Sequence, residues 1–277
     1  MKLSVAVAPT NALDSAFVVF RGIEESATLA AEMGYEGIEL ALRRADDIEP
    51  DSLSRRVEEL GLGVSCISTG QVYADLGYSF TDDNAGRRDE LVRIFSEMVD
   101  IAPRFGGFVN MGRVRGGSGG REYEYAQALF VESARSICDY AAPKGVTILL
   151  EPVNRYEIDF INSVEEGVQL MKAIDRPNMR LMPDLFHMNI EDRALADVLA
   201  DNIDFIGYIH FADSNRLAPG WGHLEFEPVL ERLHAVGYDG WISIEILPKP
   251  DPVSAARQAV SYLKPKIRAA TAAKKRA

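Results

Sequence analysis

The stretch "TILLEPV" at residues 147–153 places a short apolar run directly before an acid. Such a run is typical of a strand buried on both faces of a parallel sheet. Seven further runs have the same character: 3–8, 37–42, 63–69, 107–112, 180–184, 206–213 and 241–247. Segments of helical period separate them. Eight strand–helix repeats predict an α/β fold, a (β/α)8 TIM barrel.

The barrel is expected to form a single domain over residues 1–277, because the chain contains no linker and no break in composition. Its last ~10 residues are interpreted as a basic tail ending in "KKRA". Several helices are followed by glycine just before the next strand: Gly34, Gly61, Gly145 and Gly237. A doubly wound fold is disfavoured because no glycine-rich phosphate loop follows the first strand.

Composition limits the possible partners and the compartment. The formal net charge of −12 comes from 42 acidic and 30 basic residues, and an acidic surface repels nucleic acid and anionic membranes. No apolar run reaches the ~18 residues that a membrane span needs, and the start of the chain lacks a secretory signal pattern. Cys66 and Cys138 match no disulfide or metal spacing. We therefore expect a soluble, cytoplasmic protein.

Four polar side chains stand on the last four predicted strands, and each follows an apolar run: Glu151, Asp184, His210 and Glu245. The carboxyl ends of barrel strands meet at one mouth, where active sites lie. Buried carboxylates without a counter-charge cost several kcal/mol, so this convergence predicts a cation. Three carboxylates and an imidazole suit Mn²⁺, Mg²⁺, Co²⁺ or Zn²⁺.

Three further polar residues fall in loops that would rim the same mouth: Glu157, His187 and Arg216. They are candidates for binding substrate hydroxyls and polarising a carbonyl. His223 is a possible fourth group, whereas His234 lies in a helical pattern and is expected to be structural.

The motifs "EPVNRYE", "DLFHMN", "HFADSNR" and "SIE", in this order and spacing, resemble those of the xylose-isomerase-like sugar isomerases and epimerases. Within that family the motifs are similar to those of ketose 3-epimerases of the D-tagatose 3-epimerase type. The stretches "STGQVY", "GRVRG" and "ADSNRLAPGWGH" look closest to 5-keto-L-gluconate epimerase, which acts on a keto sugar acid.

The resemblance implies one divalent metal ion, commonly Mn²⁺, bound by the four strand-end residues. It also implies that Glu151 and Glu245 exchange the substrate proton, and that Glu157, His187 and Arg216 contact the substrate. The residue types suit this chemistry. Inverting a carbon next to a ketone passes through an enediolate, which a Lewis acid stabilises, and requires an acid–base group on each face of the sugar.

A sugar-acid substrate would need a cation for its carboxylate, and Arg113 and Arg115 follow the fourth predicted strand. We expect one of these two to bind it; Arg43 and Arg44 lie after the second strand. Gln71 and Cys66, near the end of the third strand, are weaker candidates for lining the distal pocket.

Other functions remain open. A 3-epimerase of neutral ketoses, an aldose–ketose isomerase and an inosose-type dehydratase would use similar groups. A metal-dependent abasic-site endonuclease is disfavoured by four histidines and the acidic charge, and a non-catalytic sugar binder by the carboxylate pair. The resemblance also implies a homo-oligomer, a dimer or tetramer, with a small sugar or sugar acid as ligand.

Overall fold

Parallel strands form the centre of the computed structural model, which describes residues 1–13 and 16–273. In that part of the chain there are nine strands: β1 (Lys2–Ala8), β2 (Phe20–Arg21), β3 (Gly37–Ala41), β4 (Gly63–Ser68), β5 (Phe108–Met111), β6 (Thr147–Leu150), β7 (Met179–Leu181), β8 (Ile209–Phe211) and β9 (Trp241–Ile244). The short β2 pairs only with β1 and lies off the main path of the sheet. The other eight match the eight predicted runs.

The sheet closes on itself as a barrel. Its hydrogen-bonded order is β7-β6-β5-β4-β3-β1-β9-β8, and all neighbours are parallel. Two bridges join the ends of this path, Leu181 with Ile206 and Asp184 with His210. The predicted (β/α)8 TIM barrel is therefore confirmed, and its closure places two predicted site residues side by side.

Ten α-helices lie in the described residues: α1 (Ile23–Met33), α2 (Pro50–Glu59), α3 (Gly70–Leu76), α4 (Ala85–Ile101), α5 (Tyr123–Ala141), α6 (Val164–Ile174), α7 (Leu185–Glu191), α8 (Leu195–Asp201), α9 (Phe226–Ala235) and α10 (Pro252–Ala273). The sequence did not predict α3 and α7. Both are short and directly follow a strand at the mouth of the barrel. None of the described helices is both long and apolar enough to cross a membrane.

Glycine ends the first helix as predicted. Gly34 has φ 89°, in the left-handed region that glycine enters without steric cost, and its N–H bonds to the carbonyls of Ala30 and Ala31. Helix α10 continues through Pro265. The predicted tail "KKRA" lies outside the described residues.

The interior of the barrel is built in layers. Cys66, Leu149, Met182 and Tyr208 come from four strands and pack together as one buried cluster. Because side chains on one face of a strand recur every second residue, Ser68, Glu151, Asp184 and His210 form the next layer towards the mouth. The apolar layer thus forms the floor of the polar one.

Candidate active site and metal centre

The four predicted metal-binding side chains meet at the carboxyl end of the barrel. One ligand atom from each of Glu151, Asp184, His210 and Glu245 lies within 4.8 Å of the others. Asp184 and His210 are fully buried, and Glu151 is 6% exposed. The structure therefore brings together all four residues that the strand ends predicted, in an arrangement that could hold one metal ion.

Asp184 shows how well this site suits a cation. Its Oδ1 accepts the N–H of Phe186 at 2.9 Å and so caps helix α7, which fixes the carboxylate. Its Oδ2 is buried and has no hydrogen-bond partner in the described part of the chain. Its nearest cationic group, Arg216 Nη2, lies 3.7 Å away, beyond hydrogen-bond distance, and a bound metal ion would satisfy the oxygen directly.

His210 is held from both sides of its ring. Its Nδ1 lies 3.2 Å from Glu151 Oε1 and 3.8 Å from Glu245 Oε2. Its Nε2 lies 3.0 Å from Oε2 of Glu39, a fully buried carboxylate on β3. The sequence analysis missed Glu39, although an acid inside the apolar run "GIELAL" is a recognisable signal.

Crowding of carboxylates shifts the acid–base behaviour of the cluster. Burial raises the pKa of Asp184 to about 6, and burial together with the nearby Glu151 charge raises the pKa of Glu245 to about 8. Burial alone would lower the pKa of His210, but the charges of Glu39 and Glu245 raise it well above its usual value. Burial and the repulsion between neighbouring carboxylates raise these two acid pKa values, and a divalent ion bound among the acids would lower them.

Arg216 connects this cluster to the substrate-binding candidates. Its Nη2 lies 2.7 Å from Glu245 Oε2, and its Nη1 lies 3.4 Å from Glu157 Oε1 and 3.3 Å from His187 Nε2. The guanidinium stacks at 4.0 Å on the ring of Phe17. Arg216 has φ 59°, a left-handed conformation that is uncommon for a residue other than glycine and that occurs at functional sites.

His187, on α7, faces the pocket as a neutral imidazole. The Asn154 amide Nδ2 lies 2.7 Å from His187 Nδ1 and 3.3 Å from Glu157 Oε1. Arg216 Nη1, which can only donate, lies 3.3 Å from His187 Nε2, so donor groups face both nitrogens of the ring. Burial, and then the charge of Arg216, lower the pKa of His187 well below its usual value. The predicted groups Glu157, His187 and Arg216 thus form one cluster.

A pocket opens above these groups. Beyond the acids, its walls are formed by the strand ends and by the segment after β1: Leu13, Ala16, Phe17, Val18, Ala41, Ser68, Asn110 and Arg113. Gln71 also lines it, as predicted, but its amide is occupied by backbone. Its Oε1 accepts the N–H of Leu13 at 3.2 Å, and its Nε2 donates to the carbonyl of Ala41.

Asn110 is a pocket residue that the sequence analysis missed. It is 2% exposed, and its Oδ1 has no hydrogen-bond partner within the described residues. Its position in the apolar run "GFVNMG" was the available signal. This oxygen could accept a hydrogen bond from a ligand hydroxyl.

The structure corrects two predicted substrate contacts. Cys66 lies in the floor layer with Leu149, Met182 and Tyr208, one layer below the pocket, because its side chain points into the barrel two residues before Ser68. Burial raises the pKa of its thiol well above the usual value. Ser68, not Cys66, lines the pocket.

Arg115 is also misplaced as a ligand for a carboxylate. It is fully buried, and its guanidinium donates to the backbone carbonyls of Glu151, Phe160 and Ile161. Arg113 does line the pocket, and its guanidinium lies 5.6 Å above the ring of Tyr73.

Three other candidates from the sequence, Arg43, Arg44 and His223, make contacts with residues close to them in the chain. Arg43 lies 3.6 Å from Asp47 in an ion pair, and the backbone N–H of Arg44 donates to the same carboxylate. His223 is exposed and lies 2.9 Å from Ser214 Oγ. None of the three lines the pocket in the described part of the chain.

The chain folds as a TIM barrel. Its cluster of carboxylates and one imidazole lies at the mouth where enzymes of this fold have their active sites. The family described as "Xylose isomerase-like TIM barrel" matches residues 27–266. The chain belongs to this xylose isomerase-like TIM barrel family, which confirms the resemblance found in the sequence.

Named relatives agree with this placement. An L-ribulose 3-epimerase of Methylomonas sp. (strain DH-1) is 30% identical over 234 residues, covering 81% of this chain and 78% of the relative. A 3-dehydro-D-guloside 4-epimerase of Escherichia coli (strain K12) is 27% identical over 241 residues, covering 84% and 90%. These names support the prediction of an isomerase acting on sugars.

A solved structure agrees with the fold. The crystal structure of a 3-keto-D-glucoside 4-epimerase from E. coli, in its apo form, superposes with a TM-score of 0.81 at 24% identity. The match covers 96% of this chain and 99% of that one.

Proposed function

We propose that this protein is a divalent-metal-dependent epimerase that inverts the carbon next to the carbonyl of a keto sugar. The observation that carries the proposal is the placement of Glu151 and Glu245. They follow β6 and β9, which β7 and β8 separate in the barrel, and so they flank Asp184 and His210. Two carboxylates on opposite sides of one small site suit removal of a proton from one face and its return on the other.

The metal ion would be held by Glu151, Asp184, His210 and Glu245. Mn²⁺ fits this donor set, as do Mg²⁺, Co²⁺ and Zn²⁺. When bound, the ion supplies Lewis-acid stabilisation of the negative charge that develops on the substrate oxygens. The Oδ2 of Asp184, which is buried and accepts no hydrogen bond from the described residues, supports this assignment.

The neighbouring groups would orient the sugar. The imidazole of His187 and the guanidinium of Arg216 would contact the carbonyl oxygen, where charge grows in the transition state. Glu157 accepts a hydrogen bond from a substrate hydroxyl, and Asn110 offers a second acceptor deeper in the pocket. Phe17 covers Arg216 and limits access of water to the reacting carbon.

For the substrate we favour a keto sugar acid of the 5-keto-L-gluconate type, because Arg113 places a guanidinium in the pocket wall. A keto sugar without a carboxylate is the second candidate. The names of the relatives, which are a ketose 3-epimerase and an epimerase of a dehydro-glycoside, favour it.

Proton NMR in D₂O with Mn²⁺ tests the proposal. The metal-loaded protein is incubated with a panel of 5-keto sugar acids, neutral ketoses and 3-keto-glycosides, and deuterium uptake next to the carbonyl is followed together with epimer formation. Uptake and an epimeric product with any member support an epimerase, and the preferred member identifies the substrate class. Isomerisation to an aldose, loss of water from the sugar, or no exchange with the whole panel would overturn it.

A further inference from the structure

The environment of the His210 ring carries one more inference, which rests on the metal site of the proposed function. We propose that Glu39 is a positioning residue that acts through His210. It holds the ring with Nδ1 directed at the metal site and with the proton on Nε2. Neither the sequence motifs nor the relatives' names assign Glu39 a role.

The contacts of Glu39 are specific to this ring. Both of its oxygens lie within hydrogen-bond distance of His210 Nε2, at 3.1 Å for Oε1 and 3.0 Å for Oε2. Glu39 and His210 are both fully buried, so no solvent weakens the contact. A carboxylate accepts only, so Nε2 donates to Glu39, and Nδ1 is the nitrogen that faces Glu151 and Glu245 and could bind a metal ion once its own proton is displaced.

Glu39 is itself held in place by a second set of buried groups. The hydroxyl of Tyr208 donates to Glu39 Oε2 at 2.9 Å. Ser65 Oγ lies 2.7 Å from that hydroxyl, and Ser4 Oγ lies 2.9 Å from Ser65 Oγ. These side chains come from β1, β3, β4 and the residue just before β8, so the chain of hydrogen bonds crosses the barrel interior. A rigid scaffold of this kind fixes the orientation of a metal-binding side chain.

Glu39 does not belong to the metal-binding set. The His210 ring lies between it and the other acids, and the cluster that meets within 4.8 Å does not include it. Its carboxylate can therefore affect the metal only by orienting the imidazole and by strengthening it as a donor. Packing alone does not explain why both oxygens of this buried carboxylate lie within hydrogen-bond distance of one nitrogen.

Substitution separates positioning from a merely structural role. Glu39→Gln is nearly isosteric and removes the charge, and its amide can turn either its oxygen or its nitrogen to the ring. Affinity for Mn²⁺ alone is measured by isothermal titration of metal-free protein. We expect affinity to fall about 10- to 100-fold, as for lost carboxylate partners of ligating histidines. The matched control is Glu36→Gln, which removes the same charge from an exposed position near the start of the same strand; its affinity should equal that of wild type.

A second readout reports the ring itself. Only four histidines are present, so ¹⁵N-labelled histidine resolves His210 in long-range ¹H–¹⁵N spectra of the zinc-loaded protein. Wild type should show protonated Nε2 and metal-bound Nδ1, whereas Glu39→Gln should show a mixture of ring states. Tyr208→Phe, which removes one donor to Glu39, should weaken Mn²⁺ binding by a smaller factor and covers the case in which Glu39→Gln fails to fold.

Mn²⁺ affinity within twofold of wild type in both variants, with an unchanged His210 spectrum, would overturn the inference. No sugar is used in these measurements. Loss of metal affinity in a protein that exchanges no sugar proton would therefore support the role of Glu39 while rejecting the proposed epimerase.

Discussion

Replacing Arg115 by Met should strongly lower the stability of the protein. The substitution removes no side chain that lines the pocket. The guanidinium is fully buried and donates to three backbone carbonyls, at 3.0 Å to Phe160, at 3.0 Å to Ile161 and to Glu151. Met fills similar volume but donates nothing, so the carbonyls of Glu151 and Phe160 lose this donor and that of Ile161 keeps only the N–H of Val153 at 3.3 Å. Burial lowers the pKa of Arg115 to about 10, so it remains charged at neutral pH.

The size of the effect follows from those contacts. An unsatisfied buried acceptor costs about 1–3 kcal/mol, and relief from desolvating the charge offsets part of the sum. We expect the free energy of unfolding to fall by about 3–5 kcal/mol. For a chain of 277 residues that lowers the unfolding temperature by roughly 5–9 °C.

Urea unfolding followed by circular dichroism, with scanning calorimetry alongside, measures this change. Arg113→Met is the matched control, since its guanidinium lines the pocket and contacts Tyr73; its free energy of unfolding should stay within about 1 kcal/mol of wild type. Equal stability of Arg115→Met and wild type would refute the assignment of Arg115 to the framework and would return it to the list of substrate ligands.

Three further predictions concern the pocket and its surroundings. Arg113→Ala should raise KM for a keto sugar acid about tenfold or more with little change in kcat, and should leave KM for a neutral ketose unchanged; equal effects on both substrates would remove the case for a carboxylate site. Arg216→Lys should lower kcat about 100-fold, because one ammonium cannot span Glu245, Glu157 and His187, and steady-state kinetics with normal Mn²⁺ content checks this. Burial raises the pKa of Asp192 to about 6, above its unfolded value, so its contribution to stability is complete below about pH 4 and is lost as pH rises through 6. Asp192→Asn should therefore add about 1 kcal/mol of unfolding free energy at pH 7.5 and nothing at pH 4, measured by urea unfolding at both values; a gain at pH 4 alone would contradict the sign.

The barrel and its metal-site candidates could be predicted because both follow from one local pattern. Apolar runs ending in an acid or histidine mark strand ends, and the carboxyl ends of parallel strands meet at one mouth. Predicting the four metal-site candidates required only the apolar runs, the residue at the end of each run and the eightfold repeat of strands. These candidates are Glu151, Asp184, His210 and Glu245. The resemblance then supplied roles for the loop residues, which the structure brings together.

The roles of the remaining residues depend on how deep in the barrel each side chain lies and on which way it points. A local sequence pattern shows neither. Cys66 was expected at the pocket, but it lies one layer too deep, because each layer is two residues along a strand. Arg113 and Arg115 are two residues apart in a short 3₁₀ turn, and only the fold shows that one faces the pocket and the other the backbone. Glu39 precedes its partner His210 by 171 residues in sequence, and only closure of the barrel brings the two together.

The central claim is that Glu151 and Glu245 act on opposite faces of one keto sugar. The direct measurement is deuterium exchange in D₂O from each of the two epimers separately, in Glu151→Gln and Glu245→Gln, with Mn²⁺ occupancy confirmed in each variant. We expect each variant to exchange the proton of one epimer, a different one in the two variants, and neither variant to interconvert the epimers. Interconversion in either variant at a rate near wild type, or exchange of both epimers by a single variant, would contradict it.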